Sequence, residues 1–152
     1  MVDVSAERRH NMALFPSESW WQDFTDRIKA SQEVAETGTT WEGDICFVVQ
    51  AEPDKGLHND VWSWLDLWHG ECRGSRYGLS PEEGEQAKFV IRGTYSRWKE
   101  FINKEFGPIQ GIMAGKLKLK GDIFTMIRHV KAVTVVANIA ASVPSEFVDE
   151  QT

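Results

Sequence analysis

No apolar run in this 152-residue chain is long enough to cross a bilayer. Crossing takes about 20 residues, and the longest candidate, residues 132–143, is interrupted by Thr134, Asn138 and Ser142. A secretory pattern is missing too. The first fifteen residues carry Asp3, Glu7, Arg8 and Arg9 and have no apolar h-region. Positive charge is in short supply: 17 Lys and Arg against 23 Asp and Glu leave a net charge of −6 and a pI near 5.2. That balance argues against nucleic acid as the main partner, which would favour a basic face. It also disfavours stable docking on anionic membranes. Lys116, Lys118 and Lys120 form a local basic cluster, which the alternation assigns to the solvated side of an amphipathic strand. The expectation is a soluble, cytoplasmic protein with no stable membrane insertion.

Cysteine is scarce as well. Cys46 and Cys72 fit no zinc spacing, and a disulfide would need their two strands to pair in a suitable register. Two reduced, partly buried thiols are expected. Catalytic signatures are missing: there is no Gly-x-Ser-x-Gly elbow and no His-Glu-x-x-His helix. Gly115-Lys116 lacks both the glycine loop and the Ser/Thr of a phosphate loop. His10, His58, His69 and His129 are scattered, and a metal site would need the fold to gather three ligands or more. No enzyme activity, cofactor or metal is expected.

Aromatic residues are plentiful, with seven Trp and eight Phe, and hydrophobic residues make up 41% of the chain. Each aromatic side chain buries roughly 150–250 Å². The core is therefore aromatic-heavy, or the fold encloses an apolar cavity.

The pattern along the chain predicts a lead-in over 1–16, one domain over 17–143 and a tail over 144–152. Ser17 or Ser19 caps a first helical region over 17–36, with Trp20, Trp21, Phe24 and Ile28 at helical spacing. Strands follow over 40–51, 60–69, 71–77 and 87–92. Thr94 caps a helix carrying Trp98, Phe101 and Ile102. Gly107-Pro108 opens a short helix with Ile109, Ile112 and Met113 on its apolar side. The alternating segment Lys116–Lys120 is a last strand, and Asp122 caps a last helix. Four consecutive strands predict an α+β domain with a mainly antiparallel sheet and helices packed on one face.

The segment Gly115-Lys-Leu-Lys-Leu-Lys-Gly-Asp122, with its lead-in Pro108 to Ile112, resembles the signature of the sterol carrier protein type 2 family. The order of elements over about 17–140 is similar to that family as well. The resemblance implies a single curved five-stranded sheet covered by helices, with an apolar tunnel between them. It also implies binding of sterols, fatty acids or fatty acyl-CoA without catalysis. The motif itself is structural: glycines for turns, leucines packing inward and an aspartate cap.

Candidate ligand-binding residues are Trp20, Trp21 and Phe24 on the first helix, and Phe101, Ile112, Met113, Phe124 and Ile127 on the later ones. The same stripes would equally build a filled, close-packed core. Trp62, Trp64 and Trp68 share one strand face with Asp66, and Val61, Leu65 and Leu67 share the other. If the leucines face the core, the Trp face is left for a partner or a homodimer; if not, it lines the cavity. Three functions compete: a lipid-binding module, an interaction module with a filled core, and an enzyme using His or Asp at a tunnel mouth.

Overall fold

The computed structural model describes residues 12–151. Capping fixes most of its boundaries. Ser17 starts α1 (Glu18–Ala30), its Oγ accepting the Trp20 amide at 3.1 Å. Ser31 leaves helical geometry and caps α2 (Gln32–Thr37) through the Val34 amide at 3.1 Å, so the first helical region is two helices. Thr94 ends one element and begins the next. It is the last residue of β5 (Phe89–Thr94) and the cap of α4 (Tyr95–Ile102). Asp122 caps α6 (Ile123–Arg128), accepting from the Phe124 amide at 3.0 Å and the Thr125 hydroxyl at 2.9 Å. His129 then breaks the run, and α7 (Val130–Ser142) follows as a separate helix.

The main sheet contains β2 (Glu42–Gln50), β3 (Val61–Trp68), β4 (Glu71–Tyr77), β5 and β6 (Lys118–Lys120), in the order β4-β3-β2-β5-β6. Three of its four pairings are antiparallel, and β2 with β5 is parallel. The segment joining β4 to β5 includes α3 (Pro81–Gly84), which packs on β3 from the side opposite the other helices. The other helices collect on one face as expected, and this four-residue helix covers part of the second. On the first face α7 is the hub, touching α1, α2, α4, α6 and α5 (Pro108–Met113).

Two segments assigned to lead-in and tail meet. β1 (Ala13–Phe15) pairs in parallel with β7 (Ser145–Phe147), with Phe15 opposite Phe147. The rest of the lead-in, residues 1–11, lies outside the described residues. A polar anchor holds this C-terminal strap. The Tyr95 hydroxyl donates to Asp149 Oδ1 at 2.5 Å, and Lys99 Nζ reaches Asp149 Oδ2 at 3.0 Å and Glu150 Oε1 at 2.8 Å. Desolvation raises the Asp149 pKa, but the bonds from Tyr95 and Lys99 outweigh it and hold the carboxyl below its usual value of 3.8. A depressed folded-state pKa contributes stability above the unfolded value that is lost as pH falls through the folded one. The stability gap between wild type and Asp149→Asn should therefore be present at neutral pH and shrink below about pH 4. Denaturant unfolding at a series of pH values checks this; a gap unchanged by acid would refute it.

The Lys/Leu strand sits between two glycines with positive φ, Gly115 at 77° and Gly121 at 133°. A Cβ on Gly115 would meet open space, whereas one on Gly121 would lie 2.7 Å from Phe89 Cδ1 and 3.1 Å from the Lys88 carbonyl. Gly115→Ala is expected to cost about 1 kcal/mol from backbone strain alone. Gly121→Val should cost about 3 kcal/mol or more, because overpacking adds to the strain. Chemical denaturation of the two variants would show the order, and equal losses would contradict it.

Candidate ligand-binding site

Alternation along the strands sorts the sheet into two faces. From β2, Ile45, Phe47 and Val49 point toward the helices; from β3, Val61, Ser63 and Leu67 do so. Leu65 packs in the same core and is fully buried. Above them stand Trp20, Trp21 and Phe24 of α1, Trp98 and Phe101 of α4, and Val133, Val136 and Ala137 of α7. Between the two layers lies a cavity of about 110 Å³.

Among the described residues, no charged side chain lines this cavity. Its four tryptophans offer only carbon surface, because each spends its sole donor elsewhere. Trp20 Nε1 donates to Ser145 Oγ at 2.7 Å, and Trp21 Nε1 to Ser75 Oγ at 2.7 Å. Trp41 Nε1 donates to the Gly43 carbonyl and Trp98 Nε1 to the Val48 carbonyl, each at 2.8 Å. Ser17 is engaged in its cap, which leaves Ser63 and Tyr77, cross-strand partners on β3 and β4, as the wall's other hydroxyl carriers. Among the described residues, no fully enclosed side-chain nitrogen or oxygen lacks a hydrogen-bond partner.

Of the residues singled out in the sequence, Trp20, Trp21, Phe24, Phe101 and Ile112 are in the cavity wall. Met113, Phe124 and Ile127 are not: they are 71%, 67% and 41% exposed. The reason is geometric. α5 and α6 have six residues each, and the side chains that reach the wall are Pro108 and Ile112 from the first and Met126 from the second. A charge at position 113 would therefore not enter the cavity. The sheet contribution, and Trp41, Trp98 and the α7 residues, were not singled out. The signal for the sheet residues was present in the i, i+2, i+4 run of Ile45, Phe47 and Val49.

The Trp face of β3 looks away from the cavity, as the inward Leu65 and Leu67 require. It is not a bare ladder. Trp62 is 6% exposed, covered by α3 and by Arg92, whose Cζ lies 5.4 Å from its ring. Trp64 donates to Asp44 Oδ2 at 2.8 Å, and Arg73 lies 4.5 Å over Trp68. Cys46 belongs to this second, smaller core, where burial, and next Glu85, push its thiol up to about 11. It lies on β2 and Cys72 on β4, strands that β3 separates, and both thiols are free. Among the described residues, no three His, Cys, Asp or Glu side chains gather as a metal site, and no helix is long and apolar enough to cross a membrane.

A mixed five-stranded sheet and a helix layer, with an apolar pocket lined by no charged side chain between them, define an α+β domain. Residues 24–133 match the SCP-2 sterol transfer family, and the chain belongs to that family. A crystal structure of sterol carrier protein 2 is 30% identical with a TM-score of 0.74, over 84% of this chain and 97% of that one. The solution structure of a conserved hypothetical protein from Thermus thermophilus is 31% identical with a TM-score of 0.74, over 89% and 92%. Sterol carrier protein 2 of Yarrowia lipolytica in its apo form shares the fold at 16% identity, with a TM-score of 0.51 over 82% and 88%. No curated protein sequence matches the chain.

Proposed function

We propose that this chain is a cytoplasmic, non-catalytic carrier that binds one apolar, lipid-like molecule in the cavity between sheet and helices. The ligand is a sterol or the acyl chain of a fatty acid or fatty acyl-CoA. The observation that carries the reading is the wall: apart from the hydroxyls of Ser17, Ser63 and Tyr77 its side chains are aromatic and aliphatic, and none is charged. Family membership supports the same reading.

The wall also constrains the ligand. An ionised carboxylate or a CoA phosphate buried here would lack a counter-ion, at a cost of several kcal/mol. Such head groups stay in solvent, and the apolar part enters. The space of about 110 Å³ is below the roughly 300–1,000 Å³ of ordinary ligand pockets. It is also smaller than an engineered cavity of about 150 Å³ that takes up benzene. Binding a whole lipid therefore requires the helix layer to move outward from the sheet.

Native mass spectrometry of gently purified protein tests the proposal. The expected spectrum contains a mass adduct of one lipid per chain, removed by organic extraction and restored by adding a fatty acid or sterol. A chain that is apo after purification, and stays apo with every apolar ligand offered, would refute it.

A further inference from the structure

Two polar side chains are buried among the described residues, Thr25 at 1% and Ser63 at 5% exposed. Their hydroxyls have different surroundings. Thr25 Oγ1 pairs with Ser75 Oγ at 2.8 Å, and Ser75 Oγ also accepts Trp21 Nε1. Ser63 Oγ has no hydrogen-bond partner among the described residues. No fully enclosed side-chain oxygen is unpaired among them, so the Ser63 oxygen opens onto free space, and the space that Ser63 lines is the cavity.

Its place in the sheet explains this. Ser63 alternates with Trp62 and Trp64 on β3 and points to the helix layer in the same row as Val61, Leu65 and Leu67. Its cross-strand neighbours are Phe47 on β2, whose ring offers no conventional donor or acceptor, and Tyr77 on β4. Burial, and next Glu18, raise the pKa of the Tyr77 phenol, so it stays neutral beside Ser63. A lone hydroxyl in a row of valine and leucine weakens the core, and an alanine there would relieve the cost.

The chemistry of the hydroxyl selects its partner. It donates and accepts, and it carries no charge. It can satisfy one neutral oxygen, but it cannot balance a carboxylate, for which the wall holds no cation. We propose that Ser63 is the specificity-determining residue of the cavity, hydrogen-bonding the hydroxyl of a neutral lipid alcohol, the class that includes sterols and long-chain alcohols. This assignment rests on the cavity reading and narrows it. A fatty acid, whose carboxylate stays in solvent, gains nothing from Ser63.

Displacement of a soluble fluorescent fatty acid by 1-decanol and by undecane, which have equal numbers of heavy atoms, tests the assignment in wild type, Ser63→Ala and Ser63→Thr. Comparing variants cancels the different water solubilities of the two probes. Ser63→Ala should weaken 1-decanol binding about fivefold, the value of one neutral hydrogen bond, and leave undecane unchanged or tighter. Ser63→Thr keeps the hydroxyl and should keep the preference for the alcohol. Ser63→Ala should melt no lower than wild type, because it removes an unpaired hydroxyl; a lower melting temperature would give Ser63 a structural partner and overturn the assignment. So would an equal loss for both probes, or no loss for 1-decanol, since the hydroxyl would then serve water only. In those cases normal displacement by undecane leaves the cavity reading standing. If neither probe displaces the fatty acid from wild type, both readings fall.

Discussion

Phenylalanine in place of Ala137 is expected to weaken lipid binding at least about tenfold while leaving the protein folded. Ala137 lies in the cavity wall on α7, between Val133 and Val136 on one side and Ala140 on the other. A ring placed there occupies the space a ligand would enter. Overpacking a filled core usually costs about 1–3 kcal/mol, but here a void is available to receive the ring, so the loss should be at the low end or absent. Affinity should fall by at least about tenfold, the value of one or two methylenes denied burial. Thermal unfolding and ligand titration of the same variant check both halves. A variant that binds normally would mean that the ligand sits elsewhere. One that unfolds would mean that the cavity is not open to a side chain.

The second large effect concerns Trp98. This residue is 5% exposed, contacts Phe47 and Phe101 with ring centroids 6.0 and 5.4 Å away, and ties α4 to β2 through the Val48 carbonyl. It joins the helix layer to the sheet at the cavity wall. Trp98→Ala is expected to destabilise the fold by about 3–5 kcal/mol. Trp98→Phe keeps most of the packing and loses the hydrogen bond, for a cost of about 1 kcal/mol. Urea unfolding of the pair distinguishes packing from polar anchoring. Similar losses for both variants would show that the hydrogen bond, not the ring, holds α4 in place.

Local chemistry made most boundaries legible. Ser17, Thr94 and Asp122 each cap a helix where the sequence places one, because a cap is decided within three residues. The five strands of the main sheet were legible for the same reason, from alternation over five to nine residues. The β2–β5 pairing was not. It joins strands about 40 residues apart across a hairpin and a short helix, and nothing in either strand declares its neighbour. The β1–β7 strap was missed for the same cause: three-residue strands at the two ends of the chain carry no period of their own. Short helices misled the site assignment. A 13-residue helix such as α1 has one unambiguous apolar stripe, and its Trp20, Trp21 and Phe24 are in the wall. In the six residues of α6, Phe124, Met126 and Ile127 are all apolar, and only packing against α7 decides that Met126 goes inward. On β3 the presence of Asp66 beside the tryptophans pointed to the correct face. What it did not convey is that arginines and α3 would cover those rings.

Titration with saturated fatty acids of increasing chain length, followed by tryptophan fluorescence, tests the central claim most directly. Trp20, Trp21, Trp41 and Trp98 all line the cavity, so a bound chain must change their emission. The account predicts a saturable signal at one ligand per protein. Affinity should increase about fourfold for each added methylene, from the roughly 0.8 kcal/mol that each buried CH₂ contributes, and methyl esters should bind about as well as the acids. A signal that does not saturate at any length, or an affinity set by the carboxylate and indifferent to the chain, would contradict it.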